Sequence, residues 1–328
     1  MLFSKKIARL FGLVFAALTA VAVESNVQSP LTKGTRKPNV VFFLTDDQDV
    51  HLESLSYQPL VKKHLIDKGL TYQHHFCTVA LCCPSRVNLW TGKAAHNTNV
   101  TDVNPPYGKT SVEISRVCAR LIRAGGYPKF VSQGLNEQYL PVWLQKAGFN
   151  TYYTGKLFNA HTIENYNAPY PAGFTGSDFL LDPYTYQYLN STWQCGQDAP
   201  VSYKGRYTTD IITEKAEGFL NDAVKAQKPF FLTIAPVAPH SNVEFNGNNI
   251  SDLGNSLKVK PPVSAERHKH LFQDVKIPRT DHFNPQQVSR PSSSYDVRRV
   301  EADENVAQRS ELDSPTTSAK SNSSRIQR

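Results

Sequence analysis

The sequence predicts an α/β fold built on a largely parallel sheet. Apolar, β-rich runs occur at residues 38–44, 150–153 and 229–235, and helical patterns lie around them at 60–69, 140–148 and 209–223. Strands alternating with helices imply parallel pairing through crossover connections. A further observation concerns the strand ends. Each run is followed by polar, chemistry-bearing residues, and open α/β sheets bind ligands at the carboxyl ends of their strands.

Residues 38–44 end in the continuous run Val40-Val41-Phe42-Phe43-Leu44, which reads as a strand buried on both faces. Thr45-Asp46-Asp47-Gln48-Asp49 follows. Residues 60–69 have amphipathic helical spacing and stop at Gly69. Residues 140–148 form a second helix, with Pro141 in its first turn and Gly148 as its C-cap. The strand at 150–153 leads into Thr154-Gly155-Lys156, and the one at 229–235 into Pro236-Val237-Ala238-Pro239-His240. Asp46, Asp47, Lys156 and His240 are therefore expected to converge although the chain separates them widely. No internal repeat is present.

Between the first two strands lies Cys82-Cys83-Pro84-Ser85-Arg86. Proline is well placed in the first turn of a helix, where its missing N–H is not needed. That puts Cys82 at or just before a helix N-terminus, where the dipole and free N–H groups favour an anion. Arg86 adds a planar, permanently charged fork for an oxyanion.

The chain has 328 residues, 40% of them hydrophobic, enough for one large α/β domain or two smaller ones. Residues 1–22 read as a secretory signal: Lys5, Lys6 and Arg9 precede an apolar core, and Ala20-Val21-Ala22 is a cleavage pattern. The apolar run is too short for a good membrane span, so no stable span is expected after cleavage. Secretion gives meaning to the sequons at Asn99, Asn190 and Asn249. The five cysteines, an odd number, leave one thiol unpaired or chemically committed.

The formal charge of +8 points to a polyanion partner only until it is mapped. The signal carries +3, residues 109–125 carry +3 and residues 288–328 carry +1. The remaining body is nearly neutral, which removes the main support for nucleic-acid binding. Residues 109–125 are basic, contain Cys118 and interrupt the surrounding pattern. Residues 288–328 are rich in Ser, Arg, Asp and Glu and are expected to be a disordered tail.

Singly, the polar groups are weak signals. Adjacent Asp46 and Asp47 suggest a hard-cation site, yet Asp pairs are common in turns. Lys156 could donate to an anionic substrate group, yet alone it reads first as a solvated loop lysine. His240 reads as a general acid or base or as an ordinary surface or core histidine. His74-His75 precedes Cys77 but has no partner at zinc spacing, and reads as structural.

Together they carry a resemblance. The run Cys82-Cys83-Pro84-Ser85-Arg86-Val87-Asn88-Leu89-Trp90-Thr91-Gly92-Lys93 resembles the C-x-P-S-R…T-G signature of type I sulfatases. Asp46-Asp47-Gln48 resembles that family's metal motif. Tyr153-Thr154-Gly155-Lys156 and Ala238-Pro239-His240 match two further blocks in the same order. The chain is most similar to secreted fungal-type arylsulfatases, near the N-acetylglucosamine-6-sulfatase branch, which shares the double cysteine. The similarity runs from about residue 38 to 287.

The resemblance implies an alkaline-phosphatase-like three-layer sandwich with a mostly parallel central sheet. It implies a hydrolase of aryl or sugar sulfate esters in which Cys82 is oxidised to formylglycine (3-oxoalanine) by a formylglycine-generating enzyme. A hydrated aldehyde offers one hydroxyl to attack the sulfate ester and a second to expel the sulfate. Asp46 and Asp47 would bind calcium, Arg86 would stabilise the nucleophile, Lys156 would hold the sulfate or leaving-group oxygen, and His240 would assist proton transfer. Cys83 would pack. A phosphatase of the same superfamily is disfavoured, because those enzymes use Ser or Thr in place of Cys82.

Two departures stand out. Many sulfatases have His two residues after the lysine, where this chain has Phe158. The family also draws further metal ligands from a D-N-G motif that this chain lacks. Two carboxylates rarely hold Ca²⁺, which takes about 6–8 oxygens. The expectation is therefore residues 23–287 as the N-terminal part of a sulfatase catalytic domain, C-terminally truncated, its sheet incomplete there. Residues 109–125 would be an insertion or retained intron. The alternative is an inactive, truncated secreted fragment.

Overall fold

The computed structural model describes residues 37–104, 125–245 and 257–279. The signal reading, the tail, Asn249 and the 109–125 segment up to residue 124 lie outside the described residues. The fold below belongs to one compact unit that begins at Pro38.

A six-stranded sheet organises this unit. In chain order the elements are β1 (Val40–Phe43), α1 (Pro59–His64), α2 (Cys82–Thr91), α3 (Ala95–Thr98), α4 (Gly126–Ser132), α5 (Leu140–Lys146), β2 (Asn150–Gly155), β3 (Gly176–Leu180), β4 (Thr192–Cys195), β5 (Val201–Ser202), α6 (Thr208–Lys225), β6 (Phe230–Ala235), β7 (Asn242–Phe245) and β8 (Leu257–Lys260). The sheet order is β1-β6-β2-β3-β4-β5. The β1/β6, β6/β2 and β2/β3 pairs are parallel, and β3/β4 and β4/β5 are antiparallel. The α/β class with a mostly parallel sheet is thus as the sequence predicts. β7 and β8 make a separate antiparallel pair.

Alternation along β2 sends side chains into two cores, as the pleat requires. Tyr153 faces the cluster that holds Cys83, Val87 and Trp90 of α2 with Tyr127 and Phe130 of α4. Tyr152 faces the opposite layer, where Ala223 and Phe219 of α6 pack with Phe230 and Leu232. Helices therefore cover both faces, giving three layers. Among the described residues no helix is long and apolar enough to cross a membrane.

Two expectations need correction. The first strand is not buried on both faces: Val41 and Phe43 are 45% and 56% exposed. Val41 and Phe43 alternate onto the same face of the sheet, which the described residues leave open there; among the described strands β1 is also paired only with β6. The helix expected over 60–69 is shorter, ending at His64 before a 3₁₀ turn at Ile66–Lys68, and neither buries a residue. The helix and strand expected at 209–223 and 229–235 form as α6 and β6.

Candidate active site

Three parallel strands deliver the site. β1 and β6 run side by side in register, with Val40 opposite Phe231 and Phe43 opposite Ile234. Their pairing is prolonged by an isolated bridge between Asp46 and Pro239, which sets Asp46 beside the segment carrying His240. β2 lies on the other side of β6, with Gly155 opposite Ala235, and Lys156 donates its backbone N–H to the Ala235 carbonyl at 3.0 Å. Gly155 has φ +112°, and a Cβ there would sit 2.0 Å from the Ala235 oxygen. Glycine is required for this close approach.

α2 supplies the rest. It begins at Cys82, carries Pro84 in its first turn and ends on Gly92 in the left-handed conformation, a standard helix stop. Cys83, Val87 and Trp90 share the core face, while Cys82 and Arg86, four apart, share another. The expected helix start at Cys82 is observed.

Asp46 is the hub. Its side chain is 4% exposed. Lys156 Nζ lies 2.6 Å from Asp46 Oδ2, and Arg86 Nη2 donates to Asp46 Oδ1 at 3.0 Å. Arg86 Nη1 donates to the Lys156 carbonyl at 2.6 Å, and Tyr153 Oη donates to the same oxygen at 2.6 Å. Burial opposes ionisation of Asp46, but Lys156, Arg86 and His240 outweigh it and hold its pKa at about 2.

Asp47 behaves differently. Its φ of +59°, a conformation aspartate tolerates better than most residues, turns the chain so that its side chain is 59% exposed. Its Oδ2 lies 3.4 Å from His240 Nε2.

One ligating atom each from Asp46, Cys82 and His240 lies within 4.8 Å of the others. The two adjacent thiols differ sharply. Burial alone would push the Cys82 thiol up, but the Lys156 charge and a hydrogen bond with His240 bring it below its ordinary value. Cys83 is fully buried, and burial pushes it up to about 12. Burial disfavours the charged form of His240, yet the bond to Cys82, the Asp46 charge and the Ser241 carbonyl together outweigh it and raise its pKa. The hydrogen bond the two share favours the charged form of each, and at Cys82 it adds to the Lys156 charge. Among the described residues Cys77, Cys82, Cys83 and Cys195 are all free thiols.

Sequence reasoning missed two residues here. Tyr186 stacks on His240 with ring centroids 4.3 Å apart, and Lys156 Nζ stands 4.6 Å from its centroid. Asn159 Nδ2 donates to the Tyr186 hydroxyl at 2.6 Å. Both belong to loops without a local motif, so nothing in the sequence signals them. Phe158 packs against Phe130 and Tyr127, with centroids 4.6 and 6.3 Å apart; it fills the core and contributes no proton donor. The exposed His74 and His75 join no metal-ligand cluster among the described residues.

A thiol at a helix N-terminus, two buried cations and a histidine meet at the strand ends of an α/β sheet, where such folds bind their ligands. The sequence model of the Sulfatase family matches residues 38–297, and the chain belongs to that family. It is 38% identical over 273 residues to an arylsulfatase of Volvox carteri, covering 82% of this chain and 37% of that protein. It is 29% identical over 265 residues to an N-acetylglucosamine-6-sulfatase of Capra hircus, covering 78% of this chain and 40% of the relative. The chain thus spans two-fifths or less of these curated relatives. A crystal structure of a putative sulfatase from Bacteroides fragilis aligns with a TM-score of 0.45 at 19% identity, over 64% of this chain and 46% of that one.

Proposed function

We propose that the Cys82 centre hydrolyses sulfate esters of aryl or sugar alcohols. The observation that carries this reading is the meeting of Cys82, Asp46 and His240 within 4.8 Å beneath Lys156 and Arg86. As formylglycine, made by a dedicated maturation enzyme, Cys82 would supply a hydrated aldehyde with one hydroxyl to attack sulfur and another to release the sulfate. Lys156 and Arg86 offer positive charge where the ester carries negative oxygens. Asp46 keeps both cations in place. His240 is bonded to the reacting side chain and can take or return its proton. Tyr186 steadies His240 and Lys156.

A metal ion belongs to this reading, with Asp46 and Asp47 as its ligands and calcium as its identity. The donors do not fit calcium as they stand. Both Asp46 oxygens are held by cations, Asp47 is exposed, and two carboxylates fall short of the oxygens calcium takes. No step is assigned to it. The same observation favours a second reading, a chain that binds sulfate esters without turning them over.

Secretion also belongs to the proposal, and Drosophila melanogaster has a relative named an extracellular sulfatase, 27% identical over 266 residues. Asn99 is exposed and Asn190 half-buried, and their amides donate to Gln133 Oε1 at 3.4 Å and Gln187 Oε1 at 2.7 Å; both would carry glycans.

A chromogenic aryl sulfate tests the reading. Turnover by the secreted chain that falls at least about a thousandfold in Cys82→Ala supports it. Protection of the fold by the ester without turnover supports the second reading. Neither turnover nor protection contradicts both.

A further inference from the structure

We propose that Cys82, His240 and Asp46, while Cys82 is still a thiol, form a binding site for one thiophilic divalent cation of the Zn²⁺ type. One ligating atom of each lies within 4.8 Å of the others, and the three come from three different elements: the first turn of α2, the segment after β6 and the segment after β1. A thiolate, an imidazole and a carboxylate are the donors zinc takes, and three protein ligands leave a fourth position for water. Calcium and magnesium, which want oxygen donors, have no use for the sulfur.

The second shell favours the same ion. His240 Nδ1 lies 2.8 Å from the Ser241 carbonyl oxygen, which can only accept, so Nδ1 carries the proton. Nε2, 3.4 Å from Asp47 Oδ2, is then the nitrogen left to bind an ion. Tyr186 holds the imidazole from its face. Tyr188 Oη donates to the His240 carbonyl at 2.7 Å, fixing the backbone as well. The ligands are therefore placed before any ion arrives.

Binding exchanges one cation for another. Lys156 Nζ must leave Asp46 Oδ2, and the proton shared by Cys82 and His240 goes to solvent as the sulfur–metal bond forms. No electron is transferred. A bound cation would cover the Cys82 sulfur in the folded chain. This goes beyond ester hydrolysis and holds whether or not the chain turns over a sulfate ester.

The test uses the full chain with Cys82 shown by mass to be a thiol. Zn²⁺ is titrated by calorimetry, and Co²⁺ is added separately to read a sulfur-to-cobalt charge-transfer band. One equivalent should bind with a thiolate band. Cys82→Ser and His240→Gln should each weaken Zn²⁺ at least about tenfold and the former should abolish the band. Lys156→Met should tighten binding, because it removes the competing ammonium. Cys77→Ser and Cys195→Ser, which alter exposed thiols, should change neither readout. The proposal is overturned if Cys82→Ser and His240→Gln bind as the parent does, if the band follows Cys77 or Cys195, or if Lys156→Met weakens binding.

Discussion

Asp46 holds two buried cations, and the consequence of neutralising it follows from charge alone. Asp46→Asn would leave Lys156 and Arg86 buried without their counter-ion. Breaking a buried ion pair on one side costs about 3–5 kcal/mol, and chemical denaturation should show a loss of that size. The pH dependence separates this group from another. The folded pKa of Asp46 is lowered from 3.8 to about 2, so its contribution is complete above about pH 4 and lost as pH falls through 2. His161 is fully buried, and burial lowers it from 6.5 to about 4, against a weaker opposing bond to the Tyr166 carbonyl. Its contribution is complete above pH 6.5 and declines as pH falls toward 4, because the unfolded chain takes up the proton first. Stability should fall in two windows, and His161→Leu should flatten the upper one while leaving the lower. An unchanged slope between pH 6.5 and 4 in that variant would refute the assignment.

The junction of β2 and β6 is the element on which the site depends most. Gly155→Ala would drive a methyl into the Ala235 carbonyl and force a side chain into φ +112°. The predicted cost exceeds about 1 kcal/mol, measurable as a lower denaturation midpoint, with Lys156 displaced from Asp46. Much of this was legible in the sequence. The Thr154-Gly155-Lys156 step, the proline in the first turn of α2 and the polar residues after β1 and β6 each have a local physical signature. Loop residues such as Tyr186 and Asn159 have none, because only the tertiary fold brings them against His240 and Lys156. β3, β4 and β5 were also invisible, since short strands in a polar, aromatic stretch carry no strong period. The exposed face of β1 was misjudged for a related reason. A continuous apolar run shows that a strand can be buried on both sides, and its neighbours decide whether it is.

At the scale of the whole molecule that edge has a cost. Val41 and Phe43 present apolar surface along β1, and Leu60, Leu70, Tyr72 and Phe76 are 68%, 88%, 80% and 74% exposed. An open strand with apolar side chains invites association. The chain should self-associate with rising concentration, and Val41→Lys with Phe43→Lys should reduce this in light scattering. Equal association by the double variant would place the contact elsewhere. The same molecule gathers a nucleophile position, two cations and a histidine from parts of the sequence far apart, and it does so through three parallel strands and one helix start. The proposed function rests on Cys82 as the reacting position. The most direct measurement is the mass of the tryptic peptide that contains Cys82, taken from protein secreted by a eukaryotic host. The account predicts replacement of the Cys82 CH₂SH group by an aldehyde, with Cys83 left as a thiol. An unmodified Cys82 throughout the secreted protein would contradict it.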